Sequence, residues 1–178
     1  MADCISTTSF RFPKVAASFR ATPMTVKFGA VMRNLASYIE AERDLEHCDS
    51  VDPSCDAWIR DAERARAHVL DAISALHAAP ILRAEDMPLR RYAELTQMLI
   101  QSDSATQFCA IAALPARFYQ LFHCSGPDLT AHRVNLLIAA FDQHLHALAT
   151  LSDFTDFSAT GEMVAPSVTA DTMWATAA

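Results

Sequence analysis

Glycine is nearly absent from this chain: Gly29, Gly126 and Gly161 are the only three in 178 residues. Average usage is about 7%. Phosphate-cradling loops, two-residue hairpins and strand-to-helix nucleophile turns all need positive φ or close backbone approach, so the shortage excludes most of them. There is no Walker-type loop, no dinucleotide fingerprint and no G-x-S-x-G elbow. Long apolar runs are missing too. The longest candidate, Val134 to Phe141, is interrupted by Asn135 and falls well short of the roughly 18 residues a membrane span requires. No membrane association is expected. Basic charge is also scarce. A net charge of −7 leaves no face for sequence-independent phosphate contacts, so nucleic acid is not an expected partner.

What remains is a globular composition, 52% hydrophobic and 20% charged, in a chain long enough to bury its own core. Charge is unevenly spread. Arg11, Lys14, Arg20 and Lys27 face only Asp3 in the first 27 residues, whereas Asp153, Asp156, Glu162 and Asp171 stand without a basic residue beyond 151. Five cysteines (Cys4, Cys48, Cys55, Cys109 and Cys124) are an odd number in a chain without an apolar secretion signal. That usage points to a reducing cytoplasm, with Cys109 as a small core hydrophobe. The opening segment is rich in Ser, Thr and Arg and superficially resembles a transit peptide, but a loosely ordered N-terminus of bacterial type is the simpler account.

Apolar spacing is helical throughout. Thr22-Pro23 combines a hydroxyl cap with proline at the first helical position, and Phe28, Met32, Leu35, Ile39 and Leu45 continue the period to about Cys48. Asp52-Pro53 repeats the start signal. Trp58, Ala62, Ala65, Val69, Ala72 and Leu76 then alternate steps of four and three up to Pro80, a heptad-like seam of small residues. Pro88 opens a helix bearing Leu89, Tyr92, Thr96 and Leu99. Ser102-Asp103-Ser104 caps another with Phe108 and Ile111, and Pro115 breaks it. A short helix from Ala116 to Cys124 should end at Gly126 in a left-handed cap. The last helix, about 128–151, buries Val134, Leu137, Phe141, Leu145 and Leu148. The expected fold is therefore all-α: a bundle of five or six helices with loosely structured ends. Residues 1–21 form an N-terminal arm, 22–157 the helical domain and 158–178 an acidic tail.

The polar corner around the first interhelix turn is the sequence's best candidate for a site. Asp44, His47, Cys48 and Cys55 mix hard and soft metal ligands there. Zinc sites commonly pair ligands two to four residues apart and then repeat the pair, and carboxylate bundles need two Asp/Glu-x-x-His pairs plus further carboxylates. Neither set is complete, and an acidic, solvated helix end accounts for the cluster. Asp142–His146 and Asp128–His132 read as ordinary i,i+4 surface pairs. His123, beside Cys124, sits at a helix end where the dipole favours imidazolium and opposes thiolate. No residue combines a nucleophile with an orienting acid and an oxyanion donor, so no catalytic residue and no cofactor is assigned. Arg60, Arg64 and Arg66 alternate with acids and form a salt-bridged helix face. The leading expectation is a non-enzymatic, regulatory helical protein acting through contact with a protein partner or as a homodimer. The aromatics outside the helical core (Phe10, Phe12, Phe19, Phe154, Phe157 and Trp174) would serve as docking elements. The alternative is a metal- or small-ligand-binding bundle using the His47–Cys55 corner.

Overall fold

The computed structural model describes residues 20–47 and 55–151. Among them it contains seven helices and no strand: α1 (Pro23–Glu46), α2 (Cys55–His77), α3 (Asp86–Ile100), α4 (Ala105–Ala112), α5 (Leu114–Arg117), α6 (Tyr119–Phe122) and α7 (Leu129–Ala149). The protein is all-α, as the apolar spacing implies. Residues 1–19 of the N-terminal arm, the Asp52-Pro53 start, Cys48 and the chain beyond Leu151 lie outside the described residues.

Helix α1 begins where its cap chemistry demands. The Thr22 hydroxyl accepts from the Thr25 amide at 3.2 Å, and Thr25 Oγ1 accepts from the Thr22 amide at 2.9 Å, a reciprocal capping box. Pro23 gives up only an amide that the first turn would leave unbonded. One face then buries Met24, Phe28, Val31, Leu35, Tyr38 and Ile39. Helices α1 and α2 make the most extensive pairing in the molecule. Their short connection makes them antiparallel neighbours, and Asn34 donates to the His68 carbonyl at 3.3 Å across the pair. On α2, Ala62, Val69, Ile73 and Leu76 are buried. Trp58 is not part of this seam. It is 37% exposed.

Helices α3 and α7 complete the core with Leu89, Tyr92, Leu95 and Leu99 from one and Val134, Ile138, Phe141 and Leu148 from the other. Leu137 and Leu145, expected inside, are only partly buried, since the stripe of α7 is centred on Ile138. The segment between α3 and α7 is more broken than its spacing suggests. Ser104 caps α4 by accepting from the Gln107 amide at 3.3 Å, as expected. Instead of one helix from 116 to 124 there are two four-residue helices, separated at Phe118, whose φ of −122° and ψ of 46° leave the helical region. Pro115 sits at the start of α5, where its missing amide costs least.

Two further expectations are corrected. Cys109 is exposed, because α4 packs through Phe108 and Ile111 and turns the thiol outward. Gly126 is not a left-handed cap, since helix α6 has already ended at Phe122. Its need for glycine is steric. A Cβ there would stand 2.7 Å from Asp128 Oδ1 and 3.3 Å from Ala131 Cβ. That carboxylate is the cap of α7, accepting from the Ala131 amide at 3.3 Å.

Candidate functional site

A cleft of about 500 Å³ opens between α7 and the α4–α6 segment, with α3 as its floor. Helix α7 presents Asn135, Ile138, Ala139, Asp142, Leu145, His146 and Ala149 to it. These recur at three- and four-residue steps, so a single helical face forms the whole wall. That face runs for about 21 Å at 1.5 Å per residue. The floor is Tyr92, Leu95 and Leu99, and the opposite wall carries Phe108, Ala112, Pro115, Tyr119 and Phe122. The break at Phe118 turns Tyr119 and Phe122 towards α3 and α7, which an unbroken helix would not do.

Aromatic packing ties this cleft to the core. Phe28 and Phe141 lie 4.8 Å apart, Tyr92 meets Phe141 edge-on at 5.9 Å, and Phe122 meets Tyr92 edge-on at 5.1 Å. Such tilted and edge-to-face pairs are the preferred aromatic geometries. The short wall is held by main-chain clamps. Arg91 Nη1 donates to the Leu121 carbonyl at 2.6 Å. Asn135 accepts from the Cys124 amide at 2.9 Å and donates to the Cys124 carbonyl at 3.0 Å. The polar residue that interrupts the apolar run of α7 is thus the anchor for the far wall.

One hydrogen bond marks the polar spot in the cleft: Tyr92 Oη donates to Asp142 Oδ2 at 3.2 Å. Burial, followed by the neighbouring Asp142 charge, pushes the Tyr92 phenol far above its ordinary value, so it remains a proton donor. Burial also holds the Asp142 carboxyl above the usual carboxylate range, against the opposing pull of the Tyr92 bond and of His123. His123 stacks on Tyr119 with ring centroids 4.6 Å apart. Asp142 therefore pairs with a tyrosine 50 positions away, not with His146 as its spacing suggested. The available signal was a carboxylate set on the same helical face as Ile138 and Leu145.

The sequence's metal corner is placed differently. Asp44 and His47 are exposed at the end of α1, where His47 Nδ1 donates to the Arg43 carbonyl at 2.8 Å and so caps the helix. Cys55 is buried and engaged in a disulfide. The odd cysteine count gives no sign of this bond. Cys48 lies outside the described residues. No group of three or more His, Cys, Asp or Glu side chains converges among the described residues. Nor is any helix among them long and apolar enough to cross a membrane.

The arginines divide their work. Arg64 pairs with Asp61 and Arg90 with Glu94, whereas Arg66 donates to the Ile100 carbonyl at 3.0 Å and Arg83 to the Arg20 carbonyl at 3.3 Å. Arg66 thus leaves the salt-bridged face expected of α2 and joins that helix to the end of α3, where the helix dipole attracts a cation. Comparison with family models, with curated proteins and with solved structures finds no match for this chain.

Proposed function

We propose that this protein is a ligand-binding helical bundle whose site is the cleft between α3, α4–α6 and α7. The observation that carries this reading is the combination of size and lining. A volume of about 500 Å³ falls within the roughly 300–1,000 Å³ of small-molecule sites, and its largely apolar walls carry the Tyr92–Asp142 pair beside Asn135, His123 and His146. Burying an apolar body against Leu95, Leu99, Phe108 and Ile138 supplies affinity, while the pair fixes orientation. The small-ligand alternative drawn from the sequence is kept, but at a different place. A metal at the His47–Cys55 corner would need Cys55 as a free thiolate, and its sulfur is already bonded.

Titration with the neutral, environment-sensitive dye N-phenyl-1-naphthylamine tests the cleft. The wild type should show saturable emission enhancement at one site. Ala139→Phe, which projects a ring from the α7 wall, should abolish it with an unchanged helical spectrum. Absent or non-saturable enhancement, or equal enhancement in the variant, overturns the assignment.

A second reading, contact with a protein partner or a second copy, is favoured by Phe118 and Leu121. These two are 44% and 46% exposed and do not line the cleft. Sedimentation equilibrium of the wild type against Phe118→Ser/Leu121→Ser tests self-association. Loss of a dimer in the variant supports it, and a monomeric wild type removes the homodimer.

A further inference from the structure

We infer that the cleft selects an organic cation: a protonated amine carried on an apolar body, with the ammonium against Asp142 and the body along α3. This rests on the reading of the cleft as a ligand site and adds the chemistry of its occupant.

Charge complementarity is the first support. Asp142 is the only carboxylate lining the cleft among the described residues, and no lysine or arginine lines it with them. Tyr92 Oη satisfies one carboxylate oxygen with a neutral donor, which orients the group but leaves its charge unbalanced. Two histidines share the lining: His123 is stacked on Tyr119, and His146 lies one turn along α7 from Asp142. Asp142 is exposed to incoming ligand as well as lining the cleft, and a ligand ammonium would give its carboxylate a charged partner.

The lining supplies the second support. Tyr92, Phe108, Tyr119 and Phe122 all border the cleft, so a cation beside Asp142 meets aromatic rings as well as the carboxylate. Ring faces attract ammonium groups through their quadrupole, and the effect grows when the site is desolvated. The net charge of −7 adds a field that favours approach of cations over anions. An anionic amphiphile of the same length would bury its body equally well but set its head against Asp142.

Isothermal titration calorimetry near neutral pH, with octylammonium, octanol and octanoate at concentrations below micelle formation, separates these terms. The three probes share one chain and differ in head charge. Octylammonium should bind tightest and octanoate weakest, with roughly tenfold or more between them. Asp142→Asn, which keeps the shape and removes the charge, should collapse that preference while retaining octanol binding. Octanoate or octanol binding as tightly as octylammonium to the wild type overturns the inference and leaves the ligand cleft standing. Absence of heat with all three overturns both. The wild-type comparison decides the matter even if the variant fails to fold, and a circular dichroism melt of Asp142→Asn establishes whether its result counts.

Discussion

Thr22 Oγ1 donates to Asp86 Oδ1 at 2.7 Å, joining the first turn of α1 to the first turn of α3 across 64 positions of sequence. Asp86 is 1% exposed, and its second oxygen accepts from the Leu82 and Arg83 amides at 3.0 and 3.2 Å. One carboxylate thus folds the 81–85 turn and fastens it to the cap of another helix. Asp86→Ala leaves three donors without an acceptor and should cost about 2–4 kcal/mol. Thr22→Val should cost roughly 1–2 kcal/mol through the cap and the shared bond. The double variant should lose less than the sum, because the two residues act through one network. Denaturant titration of all three variants measures this, and strict additivity would separate the cap from the staple.

The burial on α2 distinguishes two alanines that composition treats alike. Ala62 is buried and Ala67 is exposed. Ala62→Leu should overpack the seam and destabilise by about 1–3 kcal/mol. Ala67→Leu should melt with the wild type. Thermal unfolding followed at 222 nm compares them, and equal shifts would mean that the packed face is assigned wrongly.

The two free cysteines among the described residues, Cys109 and Cys124, should differ in reactivity. Cys124 is buried, and burial first, then the charges of Glu85, Asp128 and Asp86, lift its thiol from 9.0 to about 11. A raised folded value means that the protonated thiol favours the native state. Its contribution is complete below the ordinary thiol range and is lost as pH rises through about 11. In mildly alkaline buffer, iodoacetamide should modify exposed Cys109 promptly and Cys124 only after unfolding, as read by peptide mass spectrometry. Equal labelling of both in the native protein would contradict the burial of Cys124.

Tyr92 and Asp142 should titrate as a linked pair. The Asp142 carboxyl is raised by burial and partly restored by the phenol, so Tyr92→Phe should raise it further. Because the folded value lies above the ordinary one, the native state holds this proton longer than the unfolded chain. Stability from this group is therefore greatest below the ordinary carboxylate range and declines as pH rises through the folded value. Carbon-13 carboxyl titration of the wild type and Tyr92→Phe follows the group directly. An Asp142 that titrates with the other aspartates would contradict the raised carboxyl in the cleft.

Helix positions were legible in the chain because the signals are local. The Thr22-Pro23 start, the Ser104 cap and the stripes of α1 and α7 depend on neighbours within four residues, and such interactions are the same before and after folding. The all-α class follows from those signals together with the shortage of glycine. The cleft depended on information that no window contains. Tyr92 and Asp142 lie on different helices, the far wall exists because Phe118 leaves the helical region, and Asn135 anchors that wall through the main chain of Cys124. Exposure of Cys109 was likewise decided by which face of α4 packs, through Phe108 and Ile111. Period identifies the face a helix can bury, but only the packed partners determine how far along its length that face is used.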